Sequence, residues 1–219
     1  MNDFHLNIKA VAKSFRMHNF LFRDMSFDLT NSAVTALTGK NGSGKSTMLK
    51  ICAGLLKPSE GAVELSLNAE LLKKEQFNRH FGFVSPYLNL YDEFTPQELL
   101  KITADMRGLK NNDEMNQSRL EQFGILKYQN RVISEFSSGM KQRMKFVLAL
   151  QHNPEILFLD EPSTNLDSEG IVVAEEIVRN HAASGGALLI ATNDERERSW
   201  CEQEVKIQRP IKQKKKIKI

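Results

Sequence analysis

The segment GKNGSGKST, residues 39–47, sets three glycines, a lysine and two hydroxyl side chains in the spacing G-x-x-x-x-G-K-[ST]. Glycines at 39, 42 and 44, with Asn41 and Ser43 between them, let successive backbone N–H groups curl around phosphate oxygens. A helix starting near Lys45 would point its positive end at the same anion. Lys45 would neutralise the β- and γ-phosphates of a nucleotide, and the Ser46 hydroxyl, followed by Thr47, would hold Mg²⁺. A glycine-rich turn that binds nothing is the alternative, and the loop alone leaves kinases, GTPases, helicases and transport ATPases open. ILFLDEP, 156–162, is an apolar strand that brings Asp160 to a sheet's carboxyl edge, where a metal contact through water belongs. Glu161 follows it and suits a base that polarises an attacking water; two carboxylates capping a turn before Pro162 is the plainer reading. FSSGMKQRMKF, 136–146, places two serines and a glycine before a cationic amphipathic run, which is a second helix start able to hold an anion. One nucleotide has little use for two such starts in one chain.

Together these segments resemble the ABC-type ATPases. SSGMKQR stands where the family carries the signature usually written LSGGQ, and STNLD at 163–167 stands in the place of the D-loop. With the phosphate loop and ILFLDE they follow the family's order and spacing, and the resemblance covers nearly the whole chain. It implies an α/β fold, a P-loop NTPase with a RecA-like core, an N-terminal antiparallel β subdomain and an inserted helical subdomain. That gives a single domain over 1–208, with the helical part at about 94–152 and a basic tail at 209–219. It implies ATP and Mg²⁺ as cofactors, with Ser46 and Asp160 at the metal. It also implies head-to-tail dimers, in which Ser137, Ser138 and Gly139 meet a γ-phosphate bound by the partner, with Asp167 at the same interface. The implied partners are a second ATP-binding subunit, most simply a like chain, and a separate polytopic membrane subunit. Phe15 lies where the family sets an aromatic ring against adenine, with core packing as the rival role.

Two polar residues of the family pattern are missing. Pro86 stands where a glutamine would touch Mg²⁺ and the attacking water, and Asn193 stands where a histidine would reach the γ-phosphate. Asn donates a hydrogen bond but carries no proton, and Pro does neither. Glu161 and Asn193 are therefore the expected catalytic residues, with a slow turnover. YLNLYDEFTP follows Pro86, where the family receives the coupling helix of its membrane partner. Tyr87, Leu88, Leu90, Tyr91 and Phe94 form either that docking surface or packing between lobe and core.

The elements that must position these residues are legible as alternating short apolar runs and helical patterns. FHLNIKAVA, MSFDL, AVTALTG, GAVELSL, FGFVS, ILFLD, ALLIAT and EVKIQ are expected strands, and STMLKICAGLL and IVVAEEIVRNHAA expected helices. TPQELLKITADMRG opens with Thr95 as N-cap, Pro96 at the first helical position and Glu98 in the capping-box place. From there to about Gln151 only helices are expected. Five-residue apolar strands between helices imply a parallel sheet covered on both faces.

Length and composition bound the rest. The 219 residues suffice for one domain with an inserted lobe and are too few for two full α/β domains. Apolar residues at 41% and charged residues at 26% are ordinary for a soluble globular chain. A net charge of +3 is too mild to argue for nucleic acid, and none is expected. No run reaches the roughly 18 apolar residues of a membrane span, and the start MNDFHLNIKA has no apolar signal region. Cys52 and Cys201 lack metal-ligand spacing and read as core fillers in a reduced cytoplasmic setting. The tail RPIKQKKKIKI is a solvated end or a contact to anionic lipid. Three readings remain: the ATPase subunit of a transporter at the inner face of the cell membrane, a soluble ABC ATPase without transport, and a non-hydrolysing dimerisation module. The compact ATPases of ABC-2-like and haem-exporter type are the subgroup that SSGMKQR and NLYDEFT resemble.

Overall fold

The computed structural model describes residues 3–16, 19–110 and 112–208; the basic tail lies outside them. The chain begins with β1 (Phe4–Arg16), β2 (Asn19–Thr30) and β3 (Val34–Thr38), then α1 (Lys45–Cys52). β4 (Glu60–Leu67), β5 (Glu70–Leu71) and β6 (Phe81–Val84) follow. Next come α2 (Pro96–Arg107), α3 (Asp113–Gln122) and α4 (Ser138–Leu150), with no strand among the described residues between β6 and the next strand. The chain then runs through β7 (Ile156–Asp160), α5 (Ser168–Ala183), β8 (Ala187–Ala191), α6 (Glu195–Ser199) and β9 (Gln203–Lys206).

The strands build two sheets. β2-β1-β4-β5 is antiparallel, and β6-β7-β8-β3-β9 is parallel throughout. This is the α/β architecture that the resemblance implies. Alternate side chains of the parallel strands enter different cores. Phe158 and Leu189 pack with Phe4, Leu6, Met48 and Leu49 on the side of the antiparallel sheet. Leu157, Leu159, Leu188 and Ile190 pack with Leu99, Phe123, Phe146 and Ile177 on the other. Both faces are dry, so these strands read as continuous apolar runs without alternation.

The helical part is fastened at its start. Thr95 Oγ1 accepts from the Glu98 N–H at 3.3 Å, and Glu98 Oε2 accepts from the Thr95 N–H at 2.8 Å. The Thr95 N–H, then the Thr95 hydroxyl at 2.9 Å, donate to the Glu98 carboxyl and hold it below the usual carboxylate range. Because the five-stranded sheet is parallel, the carboxyl ends of β3, β6, β7 and β8 all emerge at one edge. That shared edge assembles the site.

Candidate functional site

Gly39, Gly42 and Gly44 have φ of 149°, 73° and 108°, conformations that side chains resist. A Cβ on Gly44 would lie 2.6 Å from Leu21 Cδ2, and one on Gly39 would lie 2.7 Å from the Ile207 carbonyl. The loop therefore folds around its own lysine: buried Lys45 donates to the Gly39 carbonyl at 3.0 Å. Gly44 precedes α1 with no side-chain cap, which leaves the first helical N–H groups for a ligand. Ser43 Oγ is buried without a partner and points to the same need. An open cleft of about 620 Å³ lies over the loop, lined by Leu21, Asn41, Gly42, Gly44, Lys45, Ser46, Thr47, Tyr87 and Glu161.

Asp160 ends β7 beneath this cleft and is 2% exposed. Burial raises its pKa above the ordinary value, while hydrogen bonds from Ser46 and Ser85 and the charges of Lys50 and Lys45 oppose the rise. Ser85 Oγ, just past β6, donates to Asp160 Oδ2 at 3.3 Å. Glu161 leaves the strand with φ 45°, a left-handed conformation costing roughly 1–2 kcal/mol for such a residue. Its N–H donates to the Ala191 carbonyl at 2.9 Å, which continues the pairing of β7 with β8 one residue past the strand. Asn193 donates to Asn41 Oδ1 at 2.7 Å and thereby joins the phosphate loop.

The second helix start is separate. Ser137 caps α4 by accepting from the Met140 N–H at 3.2 Å, and both serines are exposed. Gly139 lies under the loop 163–167: a Cβ there would stand 2.9 Å from the Asn165 carbonyl. Arg143 donates to Asp167 at 2.5 Å and to the Phe123 carbonyl at 3.1 Å. Asp167 caps α5 through the Gly170 N–H, and that bond, then Arg143, holds its carboxyl below the usual range. Ser137, Ser138 and Gly139 line a cleft of about 470 Å³ with Tyr128, Arg143, Asn165 and Asp167. None of the residues lining this cleft lines the one over the phosphate loop.

Phe15 is 66% exposed and is not a core residue; Lys13 Nζ lies over its ring, 5.2 Å from the centroid. The segment after Pro86 divides. Tyr87, Leu88 and Tyr91 are exposed, whereas Leu90 and Phe94 pack against the helical core. Cys52 is buried, and burial raises both thiols, Cys201 to about 12, which fits packing over reactivity.

Sequence reasoning missed Ser85 and Lys145. Lys145 is 7% exposed and donates to the carbonyls of Ser85 at 3.0 Å and Pro86 at 2.9 Å. Burial, then Lys141 nearby, lowers its pKa. The hint was a lysine set inside the apolar run MKFVLAL.

Comparison with known proteins agrees with this geometry. Residues 22–164 match the family model described as ABC transporter. The chain is 35% identical over 167 residues to the uncharacterized ABC transporter ATP-binding protein YxlF of Bacillus subtilis (strain 168), covering 75% of this chain and 55% of YxlF. It is 30% identical over 158 residues to the bacitracin transport ATP-binding protein BcrA of Bacillus licheniformis, covering 72% of this chain and 51% of BcrA. The matches thus span about half the length of these two relatives. A dimeric ATP-binding cassette, MJ0796, in a post-hydrolysis state with ADP and Pi superposes with a TM-score of 0.81 at 23% identity. That likeness covers 93% of this chain and 94% of the other, and it shows the fold. The chain belongs to the ABC transporter family, as an ATP-binding domain.

Proposed function

We propose that this chain is the ATP-binding and ATP-hydrolysing subunit of an ABC transporter, closing head to tail with a second such subunit around two Mg-ATP. The observation that carries the proposal is the pair of anion-accepting helix starts whose clefts share no residue. A nucleotide on the phosphate loop leaves Ser137, Ser138 and Gly139 of its own chain unused, so those residues serve a nucleotide held by another chain. The MJ0796 cassette, of the same fold, is dimeric with ADP and Pi bound, which is compatible with pairing of two chains.

The residues fit a divalent cation. Ser46 lies close enough to the Asp160 carboxylate to oppose the rise of its pKa, and the described residues contain no group of three His, Cys, Asp or Glu that could hold an ion unaided. One hydroxyl, one carboxylate and phosphate oxygens are the usual Mg²⁺ set. Bound there, Mg²⁺ would neutralise charge on the β- and γ-phosphates. Lys45 would leave the Gly39 carbonyl for the phosphates, Glu161 would orient and deprotonate the attacking water, and Phe15 would stack on the base.

No helix among the described residues is long and apolar enough to cross a membrane. A separate membrane subunit is proposed on the resemblance to transporter ATPases. Exposed Tyr87, Leu88 and Tyr91 offer it a docking face, and the chain would act at the inner face of the cell membrane. The relative named for bacitracin transport supports transport. Export in the manner of the ABC-2-like and haem-exporter type rests on the likeness of SSGMKQR and NLYDEFT. A second reading, an ATP-dependent dimerisation module without turnover, is favoured by one observation: the Asn193 amide is already engaged by Asn41.

Steady-state phosphate release decides between them. Glu161→Gln keeps shape but not basicity, and turnover should fall by roughly 10²–10⁴. Equal background release from wild type and Glu161→Gln, with a co-purified membrane subunit present, would establish the module. Ser137→Arg in the Glu161→Gln background should keep ATP binding and lose the Mg-ATP-dependent dimer in sedimentation; a dimer that persists would refute the arrangement in trans.

A further inference from the structure

We infer that Lys145 is a positioning residue that ties α4 to the metal-facing carboxylate Asp160 by holding the Ser85–Pro86 turn, where the family pattern expects a glutamine. The inference deepens the proposed Mg-ATP site and rests on that reading.

The turn leaves the sheet edge at β6 and starts the helical part, while α4 ends that part before β7. Pro86 has no N–H, so its own backbone can be gripped only through carbonyls. Lys145 reaches both, the Ser85 and Pro86 carbonyls, from the buried side of α4. The gripped turn presents Ser85 Oγ to Asp160 Oδ2 at 3.3 Å, and the same oxygen accepts from the Tyr87 N–H at 3.3 Å. One side chain thus fixes a chain of contacts running from α4 through 85–87 to the carboxylate under the phosphate loop.

The chemistry is not that of a filler. Lys145 has no carboxylate partner among the described residues, and its neighbour in charge is Lys141, itself paired with Asp92 at 2.8 Å. A buried ammonium held by carbonyl dipoles alone is a poor way to gain stability, since an apolar side chain of similar volume would do as well or better. What the ammonium supplies is two directed bonds to the turn: one to the Ser85 carbonyl, which also accepts from the Leu88 N–H at 3.1 Å, and one to the Pro86 carbonyl, which has no other donor among the described residues. Lys141, one turn back, pins the same connection through Asp92. Ser137–Gly139 occupy the start of this helix, about 10 Å from Lys145 along the axis, so contact at the start and grip on the turn belong to one rigid element.

The test compares wild type with Lys145→Met, which keeps the length and removes the charge, and Lys145→Arg, which keeps the charge. Amide exchange is followed in peptides spanning 85–94 of the nucleotide-free protein. ATP affinity is measured by calorimetry with Mg²⁺ and with EDTA. In Lys145→Met, exchange of 85–94 should quicken about tenfold while α1 and β7 hold, and the gain in ATP affinity from Mg²⁺ should shrink about fivefold. Affinity in EDTA should stay within about twofold, and Lys145→Arg should recover part of both effects. A folded Lys145→Met with wild-type exchange and an unchanged Mg²⁺ gain overturns the proposal. Should Lys145→Met not fold, Ser85→Ala cuts the link to Asp160 with the lysine in place, and an unchanged Mg²⁺ gain there overturns it equally. Absence of turnover in the wild type would be a failure of the ATPase reading alone, because neither readout uses hydrolysis.

Discussion

Asn193 donates its side-chain amide to Asn41 Oδ1 at 2.7 Å, which ties the loop after β8 to the phosphate loop after β3. β3 and β8 are adjacent parallel strands, so their loops leave the same edge side by side. A residue expected to reach a γ-phosphate is instead joined to the loop that would hold the phosphates. An amide can brace such a loop but cannot accept and return a proton as an imidazole does.

Two substitutions separate bracing from chemistry. Asn193→Ala should raise KM for ATP by about two- to fivefold with less effect on kcat, as expected for loss of one exposed hydrogen bond. Asn193→His should hold or raise kcat by up to about tenfold. Phosphate release across an ATP titration measures both, and an unchanged KM in Asn193→Ala would show the brace to be idle.

Lys45→Ala should reduce ATP affinity by more than about 100-fold, because a triphosphate on a buried loop loses its central counter-charge. The lysine's bond to Gly39 is internal to the loop, so the variant should also melt close to wild type. Calorimetric titration with Mg-ATP reads the affinity; wild-type binding would remove the phosphate-loop assignment.

Gly139→Ala sets two effects against each other. Alanine is the better helix former by about 1 kcal/mol, yet its Cβ would stand 2.9 Å from the Asn165 carbonyl and push the loop 163–167 away. Stability should therefore change by less than about 1 kcal/mol in urea unfolding. The Mg-ATP dimer should weaken by about tenfold in sedimentation on a Glu161→Gln background, since the displaced loop lies at the proposed interface.

His152 provides a pH dependence. Burial, then Arg107, pushes its pKa from 6.5 down to about 4. Its ring nitrogen meets Arg107 at 2.8 Å and the Phe81 carbonyl at 3.1 Å. The unfolded chain binds a proton below pH 6.5 that the folded chain refuses until about pH 4, so stability falls with pH across that window. Between pH 7 and 4.5 the site should account for about 2 kcal/mol of lost stability. His152→Gln should flatten that part of the urea-unfolding profile.

Periodicity and punctuation in the sequence determined the elements of this fold. Apolar five-residue runs such as ILFLD and ALLIA can be buried on both faces only in a covered parallel sheet. Thr95, Pro96 and Glu98 announce their helix because capping is local chemistry, settled within four residues of chain. The phosphate loop was legible for the same reason, since its glycines, lysine and hydroxyl serve one another in sequence. Contacts between distant segments were not legible. Asn41 and Asn193 lie 152 residues apart, Lys145 and Ser85 lie 60 apart, and no local pattern pairs them. Only the strand order, which brings the ends of β3, β8, β7 and β6 to one edge, gives those side chains neighbours to bond. The same long-range packing decided between roles that composition left open. Phe15 lies outside the core and Phe94 packs against it, because burial depends on which surfaces the chain brings together and not on the residue's type.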